Sequence, residues 1–298
     1  MTGETFMDIQ TTQIDISQKD QFEKIRESCK NKLSANTFNS LYLWQHQMKL
    51  SAFVKDDFFA VKCGERGENT WFFPCGSRDA IEAFIENGMK SRDFSLCYIC
   101  EDDAKWLEER FPSMWKLKRE EESDEYICNI LELIGLSGGK YTGVRHKINR
   151  IERENVLKTL PISDDNIDDA LAVVSGWEKL PHSIGNNNIV DGGVSDRALA
   201  ERKKLGIDGV VVYRDDEPIS VFAGFSIDEN TVDALVGKCR KDAPRGFVYY
   251  AIREYVRQYA DRYTYCNMEE DLGIPGIRMI KEELRPESKN LIWVASQV

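Results

Sequence analysis

The most chemically suggestive run in this 298-residue chain is a short acidic stretch followed by a glycine turn and a basic helix face. Glu269-Glu270-Asp271 precede Gly273 and Gly276, and Arg278, Lys281 and Arg285 follow at i, i+3 and i+7. That spacing puts the three cations on one helix face, beside an apolar stripe of Ile277, Ile280 and Leu284. A carboxylate where a strand ends can take the proton of an attacking amine or hydroxyl. Cations and N–H groups nearby can hold the charge that develops on a carbonyl oxygen. Acyl transfer asks for little more. Glu269 and Asp271 are therefore candidate catalytic groups, although Asp271 equally suits closing the turn through local bonds. Arg278 and Lys281 are candidate phosphate or carboxylate binders; the other reading is a solvated face balanced by Glu282, Glu283 and Glu287.

A second constellation lies in the middle of the chain. Lys140–Asn155 carries Lys140, Arg145, Lys147, Arg150 and Arg153 against Glu152 and Glu154. A positive stretch in a protein of net charge −11 is a candidate anion site, suited to a phosphate of tRNA, CoA or a lipid headgroup. The alternative is a linker helix that pairs with the acidic run Glu120–Glu125. A third candidate is the turn Cys239-Arg-Lys-Asp-Ala-Pro-Arg-Gly-Phe247, which precedes a long helix. Arg240, Arg245 and Gly246 suit a pyrophosphate there, whereas Asp242 repels it and Pro244 offers no N–H. The aromatic runs Leu41–Trp44 and Tyr249-Tyr250 read as core rather than as a cleft lining.

These constellations need a scaffold. The composition, 42% hydrophobic and 31% charged, fits a globular protein with a real core. Residues 1–135 hold 17 basic and 25 acidic side chains, net −8, and residues 136–298 hold 23 and 26, net −3. The acidic total argues against a general nucleic-acid coat or bulk attraction to anionic membrane. No window resembles a signal peptide or a membrane span, so a cytoplasmic protein without a transmembrane segment is expected. The eight cysteines then default to thiols. Cys97 and Cys100 have C-x-x-C spacing without a second pair, and the three histidines, His46, His146 and His182, suggest no partner for them. No metal is expected.

Periodicity predicts a helix over 18–33, strands over 51–54, 58–63 and 70–73, and a helix from an N-cap at Ser77 to about 89. A strand over 94–100, a helix over 102–111 and strands near 115–119 and 125–131 follow. The second half predicts helices near 164–179 and 194–205, strands over 209–213, 218–227 and 231–238, and a helix over 245–262. A strand over 263–267, a helix over 274–284 and a strand over 290–295 end the chain. Helix, three strands, helix, strand, helix, strand thus occurs twice, which predicts mixed α/β sheets in two domains, 1–135 and 136–298, with a basic junction at 138–155.

Two segments carry a family resemblance. Gly139-Lys140-Tyr141, Arg145, Ile148 and Asn149 fit one motif, although Gly138 and His146 depart from it. Asn267, Glu269, Asp271-Leu272-Gly273, Gly276, Arg278 and Lys281 fit the other, with Met268 where a basic residue is usual. Together they resemble the C-terminal domain of phosphatidylglycerol lysyltransferases. The resemblance implies two tandem acetyltransferase-like (GNAT) domains and an acyl- or aminoacyl-transferase. It implies an aminoacyl-tRNA donor, with acyl-CoA as the alternative, and no tightly bound cofactor. The implied acceptor is an amine or hydroxyl, on a lipid headgroup or a small molecule. It marks Lys140, Arg145, Asn149, Asn267, Arg278 and Lys281 as substrate-binding, beside Lys147 of the basic stretch and Arg240 and Arg245 of the phosphate turn. A non-catalytic module of the same fold that binds a phosphate-bearing ligand is the other reading.

Overall fold

The computed structural model describes residues 9–178, 191 and 193–298. His182 and the end of the helix expected at 164–179 lie outside the described residues. The contacts divide the chain into two compact units, residues 1–124 with 290–298, and residues 125–289. The division therefore falls at 124/125 rather than at 135/136, and the last nine residues belong with the first unit. The reason is strand pairing that the local sequence does not encode.

In the first unit, α1 (Lys19–Ser28) and α2 (Phe38–Trp44) precede the meander β1 (Leu50–Lys55), β2 (Phe58–Cys63) and β3 (Thr70–Phe72). Then come α3 (Arg78–Gly88), β4 (Ser95–Ile99), α4 (Glu101–Arg110) and β5 (Trp115–Arg119). Ser77 caps α3 as its sequence predicts, its side chain accepting from Ala80 N–H. α1 stops at Ser28 rather than Leu33, and Lys30 takes a positive φ just beyond it. The sheet order is β1-β2-β3-β4-β14-β5, with β3 and β4 parallel. The strand β14 (Trp293–Gln297) is antiparallel to both neighbours. Phe58, Trp71, Phe84, Phe94 and Trp115 pack in edge-to-face and tilted contacts under this sheet.

The second unit begins with β6 (Glu125–Asn129), α5 (Ile130–Gly135), α6 (Thr142–Glu154) and β7 (Leu157–Pro161). α7 (Ile167–Glu178), α8 (Val194–Ala200) and α9 (Arg202–Leu205) lead to β8 (Asp208–Arg214) and β9 (Glu217–Gly224). β10 (Thr231–Asp233), β11 (Val236–Cys239), α10 (Phe247–Arg257), β12 (Tyr265–Asn267), α11 (Pro275–Glu283) and β13 (Ser288–Asn290) complete it. The strand expected over 231–238 is two strands in two sheets. β10 lies parallel to β12 in the order β10-β12-β6-β13, while β11 lies antiparallel to β9 in the order β11-β9-β8-β7. α10 is shorter than predicted and buries Phe247, Tyr249, Tyr250, Ile252, Tyr255 and Val256. So Tyr249 and Tyr250 are core, as are Leu41 and Leu43 in the first unit.

The acidic run 120–125 departs from its expected solvated turn. Glu121 and Glu122 are exposed, but Asp124 and Glu125 are 3% and 2% exposed. Asp124 accepts from Arg119 (2.7 Å) and from Ile292 N–H (2.9 Å). A run of like charges in sequence is thus split between water and buried partners. Among the described residues, no helix is long and apolar enough to cross a membrane, and no cluster of His, Cys, Asp and Glu could hold a metal.

Candidate active site

The point where the chain leaves one sheet for the other sets the site. β10 ends at Asp233, opposite Asn267 of β12. Asp233 N–H donates to Phe225 O (2.7 Å), and its carbonyl accepts from Tyr255 Oη. The two backbones approach so closely that a Cβ at position 224 would overlap the Asp233 carbonyl, which requires Gly224. Three residues later, at Val236, β11 is paired with β9. Strand ends and carboxylates therefore meet where the sheets part.

Asp233 is fully buried, and among the described residues neither of its carboxylate oxygens has a hydrogen-bond donor. Glu125 of β6 is also buried and accepts from Asn267 Nδ2 (2.8 Å). Asn267 Oδ1 in turn accepts from Glu269 N–H (2.8 Å), which fixes Glu269 at φ +61° just beyond β12. Burial pushes the Asp233 carboxyl far up, and the charges of Glu269, Glu125 and Glu270 push it further. The Glu270 carboxyl is pushed up to about 8, first by burial and then by Glu269. Lys281 is the buried cation of the group, 8% exposed; its Nζ donates to the Glu270 carbonyl. Burial lowers its pKa, against the pull of Glu270, Glu269, Asp271 and Asp233. Several carboxyl groups thus meet few positive charges in a dry place, which works against the ionised forms of Asp233 and Glu270.

Asp271 is buried to the same degree with the opposite result. Its carboxylate accepts from Tyr126 Oη (2.6 Å), Gly273 N–H (2.8 Å), Arg278 Nε (2.8 Å) and Arg278 Nη2 (3.0 Å). Burial raises its pKa, but the bonds from Arg278, Tyr126 and Gly273 outweigh that and hold it below the usual carboxylate range. Its lone pairs are filled, so Asp271 anchors the turn and does not offer a free base. The basic face expected on α11 is also divided. Arg278 holds Asp271, Lys281 turns inward, and Arg285 lies past the helix end at φ +54°.

The other expected cations are already engaged. Lys140 pairs with Glu132 (2.7 Å), which also accepts from Tyr141 Oη (3.0 Å). Arg145 donates to the carbonyls of Leu136 and Gly138 and so closes the glycine turn before α6. Lys147 pairs with Glu283 and lies 4.4 Å from the Tyr249 ring centroid. Arg240 donates to both oxygens of Asp242 (3.0 and 3.1 Å), so the acid that made the phosphate turn unpromising occupies its cation. Asn149 and Arg245 are exposed. The Arg245 carbonyl accepts from Arg150 (2.6 Å), and Lys147 packs against Gly246, so α6 sits over the start of α10. A shallow cleft of about 430 Å³ lies between Glu132, Lys140, Glu282, Arg285, Pro286 and Glu287, where the two motif segments meet.

The family model described as "Phosphatidylglycerol lysyltransferase, C-terminal" matches residues 26–295. The chain belongs to that family. None of the curated proteins matches it. A conserved protein of unknown function from Bacteroides thetaiotaomicron VPI-5482 is 22% identical and superimposes with a TM-score of 0.87, covering 98% of this chain and all of that one. The C-terminal domain of a putative lysylphosphatidylglycerol synthetase from Agrobacterium fabrum is 14% identical, with a TM-score of 0.64 over 94% of this chain and 90% of that one. L-PGS from Bacillus licheniformis is 16% identical, with a TM-score of 0.64 over 97% and 93%. These similarities show that the chain has the mixed α/β fold of that domain.

For this lysyltransferase-type domain, the structure sorts the expected residues into separate places. Asn267, Glu269, Asp271, Arg278 and Lys281 cluster at the end of β12. Lys140, Arg145, Lys147 and Asn149 lie on α6 and the turn that enters it; Arg240 and Arg245 lie on the turn before α10. Sequence reasoning missed Asp233, Glu125, Tyr126 and Glu283. Glu125 was hidden in the acidic run. Asp233 stands inside an apolar strand pattern, and a charged residue there was the signal available.

Proposed function

We propose that this chain is an acyltransferase of the aminoacyl type, with its chemistry at the carboxylate cluster of Asp233, Glu269, Glu270 and Lys281. The observation that carries the reading is the meeting of the buried Asp233 carboxyl, half-buried Glu269 and Glu270 and the buried Lys281 at a strand end, in a chain of the lysyltransferase family. In the step proposed, an acceptor amine or hydroxyl gives its proton to Glu269, or to Glu270 in its ionised form, and attacks the carbonyl carbon of the donor. Lys281 offsets the charge that gathers on the carbonyl oxygen, the bond to the leaving oxygen or sulfur breaks, and that atom takes a proton back. Carboxyl groups in excess of cations also suit the ammonium of an aminoacyl donor. Aminoacyl-tRNA is the favoured donor over acyl-CoA, because Asp242 occupies Arg240 on the turn that would cradle a pyrophosphate. Phosphatidylglycerol and soluble amines are the acceptors to compare. The catalytic role that the spacing suggests for Asp271 falls to its neighbours, and Asp271 and Arg278 position the turn. A purely phosphate-binding module gains no support from cations that are already paired.

The test is transfer by the full chain. Charged tRNAs, with lysyl-tRNA first, and acetyl-CoA are offered with phosphatidylglycerol vesicles or a panel of soluble amines, and products are read by mass spectrometry. Transfer that falls by about 10²-fold or more in Glu270→Gln supports the reading. Transfer unchanged by Glu270→Gln and Glu269→Gln, or none from any donor, overturns it.

A further inference from the structure

The first unit holds a recess of about 470 Å³ that no residue of the carboxylate cluster lines. It lies at the end of α3 away from the Ser77 cap. Trp71, Phe84 and Phe94 form its apolar wall. Trp71 meets Phe84 edge-on, with 5.2 Å between ring centroids, and Phe84 meets Phe94 in the same way at 5.9 Å. Such contacts fix the rings. Gly88 lets the helix end lie flat on this wall, because a Cβ there would overlap the Phe94 ring. The rest of the lining, Ile9 apart, is polar and carries two cations, Lys62 and Lys90, and no acid. Lys62 is half-buried, with Nζ 5.9 Å from the Trp71 ring centroid, and Lys90 Nζ donates to Asn87 Oδ1 (3.2 Å). Among the described residues neither lysine has an ion-pair partner, whereas Lys49 beside them holds Glu65 (3.1 Å). Asp93 feels the charge of Lys62, but Ser91 Oγ and Asn69 Nδ2 (3.2 Å) occupy its carboxylate. Asn69 Oδ1 in turn accepts from the Trp71 indole N–H (3.1 Å), which ties the polar rim to the aromatic wall. Residues 1–135 carry net −8, so this acid-free pair of lysines opposes the charge of its own half of the chain.

We propose that this recess binds a small aromatic carboxylate. The ring lies against the wall of Trp71 and Phe94, and the carboxylate accepts from Lys62 and Lys90. The volume suits a ligand of one or two rings, within the usual range of small-molecule sites. The aromatic wall selects the ring, and the two lysines without acidic partners select the charge. A neutral ring of the same shape leaves both ammonium groups without an acceptor. An aliphatic acid keeps the charge but loses the ring contacts. The site stands apart from the transfer reaction, and binding here tests neither Glu269 nor Glu270.

The probe is 2-naphthoate, titrated into the full chain at neutral pH and low salt and followed by calorimetry and saturation-transfer NMR. The expected result is saturable binding at one site with a Kd of about 1 mM or tighter. The uncharged 2-naphthamide and the non-aromatic cyclohexanecarboxylate should each bind at least about fivefold more weakly. Lys62→Met keeps an apolar stem over Trp71 and removes the charge. It should weaken 2-naphthoate about tenfold and leave 2-naphthamide unchanged, and Lys90→Met should act in the same direction. Absence of saturable 2-naphthoate binding up to about tenfold above that Kd, equal affinity for 2-naphthamide, or affinity unchanged by both lysine substitutions overturns the proposal. The comparison of the three ligands needs no variant, so it stands even if a substitution fails to fold.

Discussion

The turn around Asp271 and the strand end at Asp233 bury their carboxylates completely, yet treat them in opposite ways. Asp271 receives donors from a tyrosine, a backbone amide and two nitrogens of one arginine. Asp233 receives none, and acidic neighbours surround it. Burial raises a carboxyl pKa in both places; the supply of donors decides whether the group ends as a fixed anion or a proton carrier. A residue fully satisfied in this way is structural. A residue left unsatisfied costs stability, and such a cost is kept where chemistry uses it.

The strongest test of this contrast removes the satisfied carboxylate. Asp271→Ala leaves Tyr126 Oη, Gly273 N–H and Arg278 without their acceptor and should cost about 3 kcal/mol in urea unfolding, reduced from a fully buried pair because Arg278 is partly exposed. Asp233→Asn should behave otherwise, with stability at pH 7 unchanged or higher and transfer activity reduced. Equal destabilisation by the two substitutions would break the comparison.

The pH dependence of stability should separate the two places next. Glu270 is raised from 4.5 to about 8, so the folded chain holds a proton that the unfolded chain releases. That contribution is fully present below about pH 4.5 and is lost as pH rises towards 8, and Asp233 acts in the same direction. Asp271, lowered from 3.8, works the other way and loses its contribution only as pH falls below that value. Denaturation midpoints should therefore decline between pH 5 and pH 8, and Glu270→Gln should flatten the slope. A slope unaffected by that substitution would place the proton elsewhere.

Smaller effects sharpen the picture. Arg278→Lys keeps a charge but loses the two-pronged contact with Asp271, and should cost about 1 kcal/mol by thermal unfolding. Lys140→Ala, in an exposed pair with Glu132, should leave stability unchanged within error. If tRNA docks on the basic segment, the same substitution should lower the salt dependence of binding by about one unit of slope.

Much of the scaffold could be read from periodicity. The Ser77 cap, the meander β1–β3 and the helix after Asp271 follow from residue spacing and turn chemistry. The last strand's home in the first sheet, and the break of 231–239 into β10 and β11, follow from partners distant in the chain. The site was legible to the same depth. Its address, Asn267–Lys281, was visible because glycines and acids cluster there. The roles within it were not, since Asp233 and Glu125 reach it from other strands and Tyr126 fills Asp271 from across the fold.

By itself, then, the sequence determined the local alternation of helices and strands and the family, and it named 267–281 as a candidate site, because these depend on near-neighbour spacing. The tertiary structure alone decided which carboxylate is filled and which is bare, and which cations are already paired. Proton affinity depends on burial and on donors within a few ångströms, and residues far apart in the chain supply both.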